Sequence, residues 1–208
     1  MNKDQKSARQ QTAHHRGTFI VRTIELANPR LIGVWRWNFD EINERLYVIT
    51  VFAPAVLRDD YPLEELHVLQ DYMEKKTQSV ERMIQWARAQ LEASGLKEGE
   101  AAGTECLRAE IRTPLAGAYT QLFVRADVAL RLLDSLWLQG SLGERGHKER
   151  TTAMRRTALG VRTEVRRISA RLRREIRERY GSPTIADGKG SSEHPSHTLL
   201  RPCHGRHT

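Results

Sequence analysis

The sequence is poor in cysteine and has no long apolar run. Its 208 residues include two cysteines, Cys106 and Cys203, which stand far apart and form no CxxC pair. We therefore expect neither a zinc ribbon nor a framework of disulfide bridges. No apolar run approaches the roughly 18 residues that a membrane span needs. The polar, basic N-terminus also lacks the apolar core of a signal peptide. These absences predict a cytoplasmic protein with no membrane partner.

Signatures of catalysis are missing as well. The sequence contains no Walker loop, no HExxH, no GxSxG and no Cys/His pair at a useful spacing. A pair of catalytic carboxylates that meet only in the folded chain stays an open alternative. Several histidines near the C-terminus could chelate a metal, but no predicted fold surrounds them. We predict that the chain is not an enzyme and uses no metal, cofactor or small-molecule substrate.

Positive charge is abundant and concentrated in one segment. The chain has 34 Lys and Arg against 26 Asp and Glu, a net charge of +8. Residues 148–179 hold twelve basic and four acidic residues, so the excess in this segment equals that of the whole chain. Apolar residues step by four and three from Met154 to Ile176, which predicts a helix with one packing face. Arginine suits paired contacts with phosphate. The segment predicts a polyanion-binding helix, and a solvated basic face is the alternative.

A short strand is predicted just before this helix, in residues 118–125. Thr120, Leu122 and Val124 alternate with polar and aromatic residues, and a period of two is typical of a strand. Asp127 is expected to cap a helix that ends at Gly140, with a glycine-rich loop after it. One strand and two helices form too small a core alone. We expect a homodimer, with a higher oligomer still open, whose strands pair as in ribbon-helix-helix proteins.

This arrangement predicts two sets of residues in contact with double-stranded DNA. The outer face of the ribbon would read base edges in the major groove with Tyr119, Gln121, Phe123 and Arg125. A register error of one residue would exchange the two faces of the strand. The start of the basic helix would offer backbone N–H groups and polar side chains to phosphates. Its residues are Lys148, Arg150, Thr151, Thr152, Arg155 and Arg156.

The rest of the chain divides into regions by composition. Residues 1–17 are predicted to be a disordered basic arm, and residues 181–208 a disordered tail. Residues 18–112 form an N-terminal, mainly helical region, and residues 113–180 the ribbon-helix-helix DNA-binding region. In the first region we predict a strand at 18–26, a helix capped by Asn38 that bends near Pro54, a helix at 62–94 and a flexible connector. The predicted fold class is mainly α with a short β ribbon, a ribbon-helix-helix unit plus long packed helices.

Two short motifs resemble a known family. Asp59, Asp60, Tyr61 and Pro62 resemble an Asp-Asp-Pro-Tyr stretch, with the Tyr and Pro exchanged. Pro114, Leu115 and Tyr119 then match a Pro-Phe/Leu-x-x-Tyr strand entry. Over roughly residues 18–178 the chain is similar to the AcaB-like family of proteins from conjugative plasmids and integrative conjugative elements. The resemblance implies a ribbon-helix-helix transcription regulator of transfer genes.

Two functions compete at this point. The first is a sequence-specific DNA-binding regulator of mobile-element (conjugative transfer) genes. The second is a structural or scaffolding protein of a conjugative element, in which the basic helix binds an acidic protein surface.

Overall fold

The structure is a computed structural model that describes residues 18–181, so the predicted arm at 1–17 and the predicted tail beyond Gly181 lie outside the described residues. Its helices and strands follow one another in the order β1 (Ile20–Leu26), α1 (Pro29–Tyr47), a π-helical segment (Val48–Phe52), α2 (Ala53–Leu57), a 3₁₀ turn (Arg58–Asp60), α3 (Leu63–Ala93), β2 (Glu105–Ile111), α4 (Pro114–Leu138) and α5 (Glu144–Tyr180). The structure is 76% helical with one two-stranded sheet, which confirms the predicted class of a mainly α protein with a short β ribbon.

Residues 118–125 are helical, so the predicted strand there is wrong. They lie inside α4, which begins where the Thr113 hydroxyl accepts a hydrogen bond from the Ala116 N–H at 3.1 Å. Pro114 occupies the first turn, where its missing N–H costs nothing. Tyr119, Leu122 and Phe123 are buried together because they share one face at helical spacing. A dimer that pairs strands at these residues is therefore excluded.

The ribbon forms within one chain instead of between two copies. β1 confirms the strand predicted at 18–26, and it pairs antiparallel with β2, Ile20 opposite Ile111 and Leu26 opposite Glu105. β2 lies in the segment predicted to be a flexible connector, so that prediction is wrong. Alternate residues of both strands, such as Ile24 and Leu107, are buried against the helices.

α1 begins nine residues before the predicted cap at Asn38. Asn28 is the actual N-cap, and its side-chain oxygen accepts from the N–H groups of Arg30 and Leu31. Asp127 does not cap a helix of its own, since it lies in the middle of α4. Its Oδ1 accepts from the N–H groups of Ala27 and Asn28, at 3.0 and 2.8 Å. The buried carboxylate therefore attaches the β1–α1 junction to α4.

The predicted bend near Pro54 takes the form of a π-helical segment. The Ala53 N–H donates to the Val48 carbonyl, five residues back, and Pro54 has no N–H to continue the ladder. The Tyr61 hydroxyl donates to the Ile49 carbonyl at 2.8 Å. That bond satisfies the carbonyl that residue 54 would otherwise have used.

Four long helices carry the core. α3 confirms the helix predicted at 62–94, and α5 confirms the basic helix, although it starts at Glu144 and not near Lys148. α5 runs antiparallel to α3, since Arg150 contacts Trp86 near one end and Arg171 pairs with Glu65 near the other. It runs parallel to α1, since Arg166 pairs with Glu41 and Arg45 donates to Ser169. Both predicted regions, 18–112 and 113–180, contribute to one hydrophobic core.

Candidate nucleic-acid interface

α5 buries one face and exposes a basic one. The predicted packing face is confirmed, because Met154, Val161, Val165, Ile168 and Leu172 are buried. The rest of the helix surface carries basic residues along its full length. The basic residues of α5 fall into two groups that differ in whether a carboxylate neutralises them.

The group that faces α3 is neutralised inside the protein. Arg167 and Arg171 both pair with Glu65, and Arg167 also pairs with Glu164 on its own helix. Arg179 pairs with Asp60 in the turn before α3. These arginines contribute to holding α5 against α3, and their charge is largely offset before any ligand arrives.

The second group makes no ion pair with any residue of the described range 18–181. Arg150 also makes no ion pair there, but it is set apart because its guanidinium lies over the Trp86 ring. The remaining members are Lys148, Arg155, Arg156, Arg162, Arg173, Arg174 and Arg177. From Arg155 to Arg177 the helix rises about 33 Å at 1.5 Å per residue, close to one turn of B-DNA, about 34 Å. We call this group the unpaired basic face of α5.

Part of the unpaired basic face lies along the line where α1 and α5 run side by side, which we call the groove between α1 and α5. Arg155 lies near Arg30 at the start of α1, and neither side chain forms an ion pair with a carboxylate of residues 18–181. Burial is the larger cause that lowers the pKa of Arg155, and the positive charge of Arg30 lowers this pKa further. Arg162 follows about two turns later and Arg166 about three turns later, along the same side of α5.

Glu41 is the acid that neutralises arginines in this groove. Its Oε1 accepts from Arg166 Nε at 3.0 Å and from Arg45 Nε at 2.8 Å, and its Oε2 binds the other arm of Arg166. The hydrogen bond from Arg166 holds the pKa of the Glu41 carboxyl below its ordinary value, against the opposing effect of burial. The groove thus keeps an excess of positive charge.

The residues predicted to read bases are not presented together. Tyr119 and Phe123 are 1% and 0% exposed and stack edge to face at 5.1 Å in the core, so the prediction that they face outward is wrong. Gln121 is exposed on α4, and Arg125 is held by an ion pair with Glu81 of α3. A helix has replaced the strand, so these four side chains do not share an outer face.

The residues predicted to bind phosphate keep part of that role. Because α5 begins at Glu144, the backbone N–H groups of residues 148–152 lie inside the helix and bond to carbonyls four residues back, so the prediction of free N–H groups there is wrong. Thr151 is buried, and Arg150 lies over the Trp86 ring at 3.7 Å from its centroid. Thr152 is half-buried. The residues left on the unpaired basic face are Lys148, Arg155 and Arg156.

The outer face of the β ribbon is not basic. Arg108 pairs with Glu110 at 3.0 Å, Arg112 reaches the same carboxylate at 3.6 Å, and Glu25 is the other charged residue of that face. A ribbon that enters a groove of DNA must meet dense negative charge. This ribbon offers no excess of positive charge for that contact.

Sequence reasoning missed three residues of the groove, namely Arg30, Glu41 and Arg162. The spacing of seven between Arg155 and Arg162 placed them on one side of a helix, and that signal was present in the sequence. Nothing in the sequence showed that α1 would lie beside that side. The contact that defines the groove is a property of the folded chain.

No helix between residues 18 and 181 combines the length and apolarity of a membrane span. In the same residues, no three His, Cys, Asp or Glu side chains come together as a group that could hold a metal ion.

Comparisons with known proteins identify the fold. No protein-family model matches the chain, and no curated protein sequence matches it. Among solved structures, a crystal structure of AcaB from uropathogenic E. coli matches with a TM-score of 0.71 and 15% sequence identity. The match covers 82% of this chain and 94% of that chain. This chain therefore has an AcaB-like fold.

Proposed function

We propose that this chain is a DNA-binding transcription regulator that holds double-stranded DNA through the unpaired basic face of α5. The observation that carries the proposal is the separation of charge on that helix. The arginines towards α3 are neutralised, whereas Arg156, Arg174 and the other members of the unpaired basic face have no carboxylate partner within the described part of the chain. A rigid row of guanidinium groups suits a row of phosphates.

Binding would be driven by the release of counterions from DNA. Each phosphate that a Lys or Arg neutralises contributes about 0.9 to the slope of log affinity against log salt. Seven unpaired basic side chains set an upper limit of about 6 for that slope. An α-helix has the dimensions to enter the major groove and contact base edges there. We propose that this helix, and not the ribbon predicted from the sequence, contacts the bases.

The fold supports the regulatory part of the proposal. The sequence resemblance implies a regulator of conjugative transfer genes, and the chain shares its fold with AcaB. We extend this to the present chain as a proposal: it binds an operator upstream of transfer genes of a mobile element. It acts by binding and not by catalysis.

Fluorescence anisotropy with duplex DNA at several salt concentrations tests the proposal. We expect affinity to fall by orders of magnitude between about 50 and about 200 mM salt. Arg156→Gln and Arg174→Gln should each weaken binding and lower the slope by about one. Arg88→Gln removes one exposed positive charge from α3 and is the matched control, expected to leave the slope unchanged. Equal effects of all three variants would show that net charge alone matters.

A scaffolding role is the second candidate, and the exposed end of β1 favours it. Phe19 immediately before β1 and Ile20 and Val21 at its start are 46, 58 and 48% exposed. An apolar strand edge of this kind pairs readily with another chain. We propose that a second copy of this chain pairs there, forming a homodimer. Absent or salt-independent DNA binding, with the dimer intact, would leave scaffolding as the better account.

A further inference from the structure

Two buried hydrogen-bond donors in the groove between α1 and α5 lack an acceptor. The Tyr119 side chain is 1% exposed, and its hydroxyl has no partner among the described residues. The Nε–H of Arg162 is likewise buried without a partner in that part of the chain. A buried donor without an acceptor costs about 1–3 kcal/mol. The Nε–H groups of Arg112, Arg131 and Arg173 are also buried without a hydrogen-bond partner among the described residues. The pair at Tyr119 and Arg162 differs because these two side chains lie close enough to interact electrostatically, so one acceptor could serve both.

The charges around these donors show which kind of acceptor fits. Arg162 and Arg166 of α5 and Glu41 of α1 all act electrostatically on the Tyr119 phenol, so the hydroxyl lies among them. Glu41 is already engaged by Arg166 and Arg45. Further along the groove, Arg30 and Arg155 lie near enough to repel each other, and no carboxylate among the described residues pairs with either. The groove therefore lacks negative charge as well as acceptor atoms.

We propose that this groove is a phosphate-binding site. Arg162 would be the main ligand, the Tyr119 hydroxyl the innermost donor, and Arg155 with Arg30 the charges at the mouth of the groove. A phosphate group supplies several oxygen acceptors and at least one negative charge, which are the two things that the groove lacks. Burial also strengthens the attraction, because the partly desolvated arginines are screened less than exposed ones.

The phosphate could belong to the backbone of DNA or to a free ligand, and both share the chemistry that the site recognises. In the first case the inference deepens the proposed function by naming where one backbone phosphate is held. In the second case the site binds an effector. The site itself does not depend on the proposed function, because inorganic phosphate tests it in the absence of DNA.

Thermal melts of the full chain in phosphate and in chloride, at matched ionic strength, give the first test. Phosphate stabilises many proteins by exclusion from their surface. The measured quantity is therefore the phosphate-dependent shift in Tm of each variant compared with the unsubstituted chain. We expect Arg162→Gln to lose most of the shift, whereas Arg174→Gln, which removes a charge from the outer side of the same helix, should keep it. Equal shifts in both variants would overturn the proposal.

Tyr119→Phe separates a binding role from a packing role. The substitution removes the unpartnered hydroxyl and keeps the ring in the core. In chloride we expect its Tm to equal or exceed that of the unsubstituted chain, because no hydrogen bond is lost. In phosphate we expect a smaller upward shift than the unsubstituted chain shows. A side chain that only fills space would leave the phosphate shift unchanged, and that result would also overturn the proposal.

Competition with duplex DNA identifies the source of the phosphate. If the site holds a backbone phosphate, inorganic phosphate should weaken DNA binding more than chloride at equal ionic strength, and Arg162→Gln should abolish the difference. If it holds a free ligand, phosphate should stabilise the chain without displacing DNA. Loss of the phosphate effect with steep, salt-dependent DNA binding intact would refute the site alone. A specific phosphate shift without DNA binding would refute the proposed function alone.

Discussion

At the scale of single residues, Asp127 shows how one buried side chain joins distant parts of the chain. It is 3% exposed and accepts hydrogen bonds from two consecutive backbone N–H groups at the β1–α1 junction. Asp127→Ala should leave both donors unpartnered and lower the free energy of unfolding by about 2–3 kcal/mol. Urea denaturation measures the change. Asp71→Ala on the exposed side of α3 is the control, expected within about 0.5 kcal/mol of the parent.

Glu41 gives a prediction about pH. Because Arg166 lowers its pKa in the folded chain below the ordinary value of 4.5, folding favours the ionised carboxylate. The stabilisation is present above pH 4.5 and is lost as pH falls through the lowered pKa. The difference in unfolding free energy between the unsubstituted chain and Glu41→Gln should therefore shrink as pH drops below that value. Urea titrations at several pH values measure this, and a difference that stays constant across them would contradict the assignment.

The same substitution bears on function. Glu41→Gln removes the carboxylate that neutralises Arg166 and Arg45 in the groove. Both arginines would then be available to phosphates, so DNA affinity should rise and its salt slope should steepen by about one to two. Glu164→Gln is a useful comparison, since Glu164 neutralises Arg167 on the side that faces α3. We expect it to change the slope less.

At the scale of elements, the sequence predicted the long helices well and the strands poorly. α3 and α5 have apolar residues at helical spacing over eight or more turns, and no other structure satisfies such a pattern. Residues 118–125 are too short a window for the same judgement, because their aromatic and β-branched residues also fit a period of two. The N-cap at Thr113 and the spacing of Leu115, Tyr119 and Leu122 favour a helix once the whole of α4 is considered. β2 was not predicted, because the glycines before it indicated a flexible connector and its partner strand β1 is about 80 residues earlier in the sequence.

The π-helical segment yields a prediction for a pair of residues. Tyr61 donates to the Ile49 carbonyl, which Pro54 cannot reach with an N–H. Tyr61→Phe should lower the free energy of unfolding by about 1–3 kcal/mol, because a buried carbonyl loses its donor. In a Pro54→Ala background the cost should be smaller, since residue 54 regains an N–H. Urea denaturation of the four proteins gives the coupling. Tyr180→Phe at the exposed end of α5 is the control, and equal costs in both backgrounds would contradict the explanation.

At the scale of the whole molecule, the sequence located the basic helix but not the surface that it presents. The excess charge of residues 148–179 was visible by counting. Which arginines are neutralised depends on Glu41 and Glu65, which are more than a hundred positions away from their partners. A linear pattern contains no information about such pairs. The prediction that Tyr119 and Phe123 contact bases was wrong for a related reason. Their burial depends on tertiary packing, such as the edge-to-face contact of Phe123 with Trp35 of α1.

The exposed end of β1 leads to a prediction about assembly. One edge of β1 pairs with β2, while Phe19, Ile20 and Val21 remain exposed at the start of the strand. Pairing with the same edge of a second copy would give a four-stranded sheet and cover these residues. We expect a homodimer at micromolar concentration by sedimentation equilibrium. Val21→Lys should convert it to a monomer, because a charge on the edge strand opposes pairing.

Leu63→Lys provides the matched control for this experiment. Leu63 is 60% exposed at the start of α3, so the substitution adds the same charge to another exposed apolar position. It should leave the dimer intact. Circular dichroism checks that both variants keep their helices. A monomeric parent protein, or a Val21→Lys variant that remains dimeric, would exclude this edge as the interface. A monomeric Val21→Lys variant should also bind DNA more weakly, because two copies on one operator hold it jointly and each alone has half of the contacts.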